Sequence, residues 1–254
     1  MKRLKILFAL ALPVSLYSQT TKLPVVITPK FKKDTLSITK YGAVADGNTL
    51  NTKSINAAIV ALSKKGGGVV LIPAGLWLTG PVVLKNNINL HLTIGATLLF
   101  TDNQDEYPLV KGNWEGIPQM RSQSPISATG AVSIAITGKG IIDGNGDGWR
   151  AVKKDKLTET QWKKLINSGG LLSDDNKTHY PSASFMKGAN MPANPGLITP
   201  DRDMAYYESI KGFLRPNLLV LSNCKYILLE GVTFQNSPAW CLHPLMSEHL
   251  TVRN

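Results

Sequence analysis

Residues 66–100 read GGGVVLIPAGLWLTGPVVLKNNINLHLTIGATLLF. Two alternating apolar pairs, Val70/Ile72 and Leu90/Leu92, stand twenty residues apart. Glycines at 75, 80 and 95 break the run where a chain would turn. Alternation with period two is the pattern of a strand with one buried face. The same pair returns at Ile134/Ile136, at Ile227/Leu229 and, 23 residues later, at Leu250/Val252. The 44 residues between Leu90 and Ile134 read as two further steps of 22. Short strands repeating every ~20–25 residues predict a stacked solenoid, in which each coil buries its apolar face on its neighbours. The strands lack the leucine-rich repeat pattern, and a β-sandwich would carry Asn-Gly or Asp-Gly turns every ~8–12 residues. The expected fold is therefore all-β, a right-handed parallel β-helix.

Just ahead of this stretch, SINAAIVALSKK places Ile55, Ala58, Ile59 and Leu62 on one helical face. Asn51 and Thr52 are good N-cap types, and two lysines followed by Gly66 close the segment. A one-sided helix over 54–65, placed before the first repeated strand, is expected to cap that end of the solenoid. The opposite end offers nothing comparable, so the Leu250/Val252 coil is expected to leave an open edge that invites self-association. Between Ala151 and about residue 213 the period fails. The region is polar, holds Pro181, Pro192, Pro195 and Pro200, and only ETQWKKLI reads as helical. A stretch of that length is expected to be a loop elaboration on one face of the helix.

At the other extreme of the chain, Lys2, Arg3 and Lys5 precede an apolar run over 6–14, and the small residue Ser18 follows. That layout predicts a signal peptide over 1–18, with 19–254 forming part of a single β-helix domain. The run is too short to span a bilayer, which takes ~20 residues, so no membrane span is expected and the protein is expected to be exported, periplasmic or secreted. Removing 1–18 lowers the net charge from +11 to about +8. A positive exported protein attracts polyanions, of which acidic polysaccharide is one class. No nucleic-acid motif or interleaved aromatic series accompanies the lysines at 153, 154, 156, 163 and 164, so nucleic acid is not an expected partner. Cys224 and Cys241 both sit in apolar, strand-like stretches; a disulfide and two buried thiols are both compatible with them.

Several motifs offer chemistry and fail on inspection. DGNGDG (143–148) matches the first half of a calcium loop, but the twelfth position, which must be Glu, is Lys154. His91, His179, His243 and His249 show no zinc-ligand spacing. No metal site and no cofactor are expected. Asp174 and Asp175 sit in polar sequence and read as solvated.

Four stretches together resemble the polygalacturonases, family 28 of the glycoside hydrolases. They are YGAVADGNTLNTKSINAAI (41–59), 66–100, GKGIIDGNGDGW (138–149) and RPNLLVLSNCKYILLEGVTFQNSPAW (215–240). The resemblance implies a parallel β-helix acting on pectin, a galacturonan, and inverting at the anomeric carbon. An acid and a base would then flank the sugar, roughly 6.5–9.5 Å apart. The family carries these carboxylates downstream of its Asn-Ser-Pro-x-Trp motif, which here is Asn236, Ser237, Pro238 and Trp240. None of the family's catalytic motifs occurs among the residues that follow, so no catalytic residue is assigned, and the chain is expected to be the N-terminal portion of a longer enzyme, inactive alone and monomeric when full length. A substrate-facing fringe remains: Trp240 as a ring face for a sugar, with His243 and Arg215 to meet a carboxylate. Each also has a structural alternative, Trp240 as packing and Arg215 as a loop pin before Pro216. A polysaccharide lyase of the same fold, or a non-catalytic polysaccharide-binding module, are the competing expectations.

Overall fold

The structure, a computed structural model, describes residues 23–254. The expected signal peptide over 1–18 lies outside the described residues. The chain opens with β1 (Thr35–Ser37) and then helix α1 (Thr52–Lys64). The first full coil follows as β2 (Gly68–Ile72), β3 (Gly75–Thr79) and β4 (Val82–Val83). The next begins with β5 (Ile88–Leu92) and β6 (Ala96–Phe100), leaves the helix as the hairpin β7 (Leu109–Trp114) and β8 (Ile117–Ser122), and returns as β9 (Ile126–Thr129). The third runs through β10 (Val132–Gly138) and β11 (Ile141–Asp143). It then departs through β12 (Val152–Lys153), α2 (Glu159–Asn167), β13 (Leu171–Leu172), β14 (Thr178–Tyr180), α3 (Ala183–Ala189) and α4 (Met204–Glu208) before β15 (Leu219–Ser222). The last coil holds β16 (Lys225–Glu230), β17 (Thr233–Gln235), β18 (Leu242–Leu245) and the start of a further one, β19 (Glu248–Arg253).

Three parallel sheets result, ordered β1-β2-β5-β10-β16-β19, β3-β6-β11-β17 and β4-β9-β15-β18. This is the expected right-handed parallel β-helix. The repeated apolar pairs are its interior stacks: Val70 lies opposite Leu90, Leu90 opposite Ile136, Ile136 opposite Leu229 and Leu229 opposite Val252. The first three are fully buried, Leu229 nearly so, and Val252 is 57% exposed because no further strand covers it. Helix α1 buries Ile55, Ala58, Ile59 and Leu62 in the same core, so it caps the first coil as expected. It starts two residues earlier than the sequence implies. Asn51 holds the N-cap position without capping. Its amide instead donates to the carbonyls of Val44, Thr49 and Leu78 and accepts from the Val44 N–H, fastening the entry loop to β3.

Two sequence expectations need correction. The segment between the Leu90 and Ile134 pairs is not two coils of 22. Strand β10 pairs directly with β5, Ile134 opposite Ile88 and Ile136 opposite Leu90, so it is one coil enlarged by the β7–β8 hairpin. That hairpin closes on Glu115 and Gly116, whose φ of 52° and 84° are those of a primed two-residue turn. The region between Ala151 and 213 is also more than a loop. It holds a small antiparallel sheet, β12-β14-β13, and three helices, of which sequence periodicity reveals only α2. Its own core, Tyr207, Ile210 and Leu214, closes on Met120 of β8, and the Met120 N–H donates to the Gly196 carbonyl. The elaboration is thereby docked on the hairpin.

Candidate functional site

A groove of about 460 Å³ lies on the outer face of the β4-β9-β15-β18 sheet. Its floor is set by strand register. Val83, Ser127, Val220 and His243 stand in one row across four parallel strands, their neighbours in the first three strands buried in the core. The row runs along the solenoid axis, perpendicular to the strands, which shapes the floor for an extended chain-like ligand. Hairpin residues Val110 to Trp114 form one wall. A smaller recess of about 120 Å³ adjoins it, bounded by Trp114, Gln119, Arg121, Asn194, Phe213 and Arg215. Among the described residues, no Asp or Glu lines either space. A broader depression of about 1160 Å³ lies on the six-stranded sheet, with both Lys139 and Glu230 in its lining. The groove has the aromatic faces and uncompensated cations instead.

Those features begin with Trp240. It is 47% exposed, its ring stacked on Trp114 with centroids 5.8 Å apart and planes at 29°. Its backbone is held firmly: its N–H donates to the Asn217 side chain and its carbonyl accepts from Ser237 Oγ and the Leu218 N–H. The Asn-Ser-Pro motif works beneath it. The DGNGDG turn packs here too, since a Cβ on Gly146 would lie 2.4 Å from the Ser237 carbonyl oxygen. Arg150, from the end of that turn, donates to the Ser237 carbonyl and the Asn236 side chain. The stretch that imitates a calcium loop is thus a cradle for the aromatic motif. His243 lies 5.9 Å from Trp240, ring to ring, and its Nδ1 is buried without a hydrogen-bond partner among the described residues.

Arg215 does pin a loop, its Nη1 donating to the Pro238 carbonyl. It also places its carbonyl where Arg121 Nη2 donates to it. Arg121, which sequence reasoning missed, is 8% exposed and lies 3.7 Å over the Trp114 ring. Burial, and then the Arg215 charge, push its pKa down to about 9, against the pull of Glu115. Burial and Arg150 similarly lower Arg215. Both remain cationic at neutral pH. Of the three expected residues, His243 lines the groove, Arg215 lines the adjoining recess, and Trp240 lines neither but stacks on Trp114, which with Arg121 borders both. The sequence signal for Arg121 is a cation in a strand between Met120 and Ser122, positions that are both buried.

Other candidates go elsewhere. Cys224 is buried and Cys241 is exposed, both as free thiols; Cys241 precedes β18 rather than lying inside a buried strand. Asp175 accepts from Ser173 Oγ and the Lys177 N–H in the β13–β14 turn, fully exposed. Among the described residues, no helix is long and apolar enough to cross a membrane.

No protein-family model matches the chain. Relatives do. The chain is 42% identical over 143 residues to an exo-poly-alpha-D-galacturonosidase of Dickeya chrysanthemi, covering 52% of this chain and 23% of that protein. It is 27% identical over 226 residues to a probable polygalacturonase of Vitis vinifera, covering 85% and 35%. Its fold superposes on an exopolygalacturonase from Thermotoga maritima with a TM-score of 0.65 at 30% identity, covering 90% of this chain and 48% of that one. The chain is similar in sequence and fold to polygalacturonases over part of their length. It spans about a quarter to a third of the length of the curated relatives it matches. Its resemblance in sequence and its β-helix agree, and the Trp240 motif lies in the connection leading into β18, a strand of the groove's sheet.

Proposed function

We propose that the groove binds galacturonan and that the protein serves the hydrolysis of α-1,4-galacturonosyl bonds in pectin. The observation that carries this reading is the stacked Trp114–Trp240 pair, half open to solvent, beside the buried Arg121 and the half-buried Arg215, neither with a carboxylate within 4.0 Å among the described residues. Aromatic faces take the apolar faces of sugar rings, and cations take their carboxylates. In this role Trp240 supplies the platform, His243 the polar floor and Arg215 a cation at the closed end. Two of the relatives are named as exo-acting, which supports removal of terminal units by the full-length parent. The groove holds no carboxylate of its own, so the residues described here supply binding rather than proton transfer. The leader expected over 1–18 supports export to the periplasm or the medium, and the positive charge supports an acidic polysaccharide as the partner met there.

Affinity electrophoresis through polygalacturonate tests the reading. Migration is expected to be retarded in polygalacturonate and not in a neutral galactan, with the retardation weakening as salt rises. Trp240→Ala removes half of the stacked pair and is expected to weaken retention by about twofold to tenfold, corresponding to the ~0.5–1.5 kcal/mol of an aromatic contact. Equal retention in neutral and acidic gels would contradict it.

A further inference from the structure

Resting on the groove as a galacturonan site, we propose that the lysines gathered where α1 ends form a second contact surface, which takes up the part of a long polyanionic chain that runs past the groove. The positive charge of the protein is not spread evenly. Residues 23–101 hold eight lysines, no arginine and two acids, Asp34 and Asp46, a net charge of +6. Residues 102–254 hold 16 basic and 15 acidic residues, a net charge of +1. The fold then brings distant members of the first set together. Lys64 is the last residue of α1, and the Lys65 carbonyl accepts from Lys32 Nζ at 3.1 Å. Ser63 Oγ donates to the Asn86 carbonyl and the Gly68 N–H to the Asn87 carbonyl, which fastens the end of the helix to the β4–β5 turn that carries Lys85. Lys32, Lys33, Lys64, Lys65 and Lys85 are all exposed, and none forms an ion pair within 4.0 Å among the described residues. Asp46 is engaged locally, accepting from the Asn48 and Thr49 N–H groups and the Thr49 hydroxyl.

Local stability accounts for only part of this. A cation in the last turn of a helix is favoured by the helix dipole, which covers Lys64, and Lys32 satisfies a carbonyl just beyond the helix. Neither reason applies to Lys33 or Lys85. Position supplies the rest. A recess of about 360 Å³ at this corner is lined by Ser63, Lys85 and Asn86 together with Val83, Ser127 and Thr129. The last three also line the groove, so the two spaces share a floor. From His243 to Val83 that floor crosses three strand spacings, about 14 Å. A short oligomer lies within that length. A longer chain that continues past Val83 runs onto the lysines, where its carboxylates meet cations that have no ion-pair partner. Contacts of this exposed kind are weak singly, add up along a polymer, and are screened by salt.

Titration of the full chain with high-molecular-mass polygalacturonate and with trigalacturonate separates the two surfaces. The unaltered protein is expected to hold the polymer more tightly than the trimer. Lys64→Gln, Lys65→Gln and Lys85→Gln combined are expected to weaken the polymer about tenfold and leave the trimer unchanged, in line with about twofold for each exposed ion contact. Arginine at the same three positions should preserve polymer binding. A charge-matched control on the elaboration, Lys153→Gln, Lys163→Gln and Lys164→Gln combined, is expected to change neither affinity, whereas Trp240→Ala weakens trimer and polymer alike. Equal losses on the polymer from the two triple variants would mean that net charge alone is felt; that result, or undiminished polymer binding in the corner variant, would overturn the proposal and leave the groove reading standing. Polymer binding that the corner variant loses, with no trimer binding by the unaltered protein, would remove the groove reading and keep the corner. Binding of neither ligand would overturn both. Vesicles containing phosphatidylglycerol are the last arm: binding to them that only the corner variant loses, with polymer binding intact, would assign the corner to an anionic membrane surface and overturn the polysaccharide contact.

Discussion

Purified as the 254-residue chain, the protein is expected to release no new reducing ends from polygalacturonate above a protein-free blank. Inverting hydrolysis needs a carboxylic acid and a carboxylate across one sugar, roughly 6.5–9.5 Å apart. Supply is not the constraint, since the chain has 17 acidic residues; placement is. Asp143 lies on the β3-β6-β11-β17 sheet, accepting from Gln235 and the Asn145 N–H. Asp147 pairs with Arg150, and Glu230 with Arg253 on the six-stranded sheet. Asp203 accepts the Tyr206 N–H as the N-cap of α4. Asp201 is fully exposed. None of these lines the groove. Each missing proton transfer forfeits about 10²–10⁴-fold in rate. Binding should persist without turnover. Sustained release of reducing ends by this chain would mean that a carboxylate outside the groove does the chemistry, with Asp201, Asp203 and Glu230 the first to substitute.

The largest expected loss of stability comes from Gly138→Ala. Gly138 ends β10 opposite Leu92 with φ at +116°, where side chains other than glycine are strained. A Cβ there would stand 1.9 Å from the Leu92 carbonyl oxygen. That oxygen belongs to the backbone and accepts from the Lys139 N–H, so relief requires prising β10 from β5. Backbone strain and overpacking each cost about 1–3 kcal/mol, which together approach the whole stability of a domain at its lower bound. Because a solenoid's stability sums over neighbouring coils, the break falls between the first two coils and the rest. Gly130→Ala is the control: its φ is +63°, but a Cβ there meets nothing within 4 Å. It is expected to cost only the ~1–2 kcal/mol of the left-handed conformation. Urea midpoints of the two variants measure the difference, and similar midpoints would contradict the contact described at Leu92.

Much of the fold is legible because a solenoid writes its core into the sequence as a period. The pairs at 70/72, 90/92, 227/229 and 250/252 lie one coil apart and are opposite each other in register. The method fails where a coil is interrupted. Residues 101–125 hold a hairpin outside the barrel wall, and their length, near one coil, passes for a coil. The elaboration is opaque for a different reason. Helices α3 and α4 are seven and five residues long, stabilised by capping side chains and by packing, Phe185 of α3 on Phe213 and Tyr207 of α4 with Met120, rather than by a long apolar face. In the site, Trp240 and His243 sit near each other in sequence beside a recognisable motif. Arg121 and Arg215 are 94 residues apart, joined only when hairpin and elaboration meet, and no periodicity records that meeting.

The central claim is that one outer sheet, and not another, receives the polysaccharide. Hydrogen–deuterium exchange with and without oligogalacturonate measures this most directly. Protection is predicted in the hairpin, at 110–122, and along the groove floor, at 217–223 and 240–245, with the β2, β5 and β10 amides unchanged. Protection confined to the six-stranded sheet around His91 and Lys139, or absent everywhere at saturating ligand, would contradict the account.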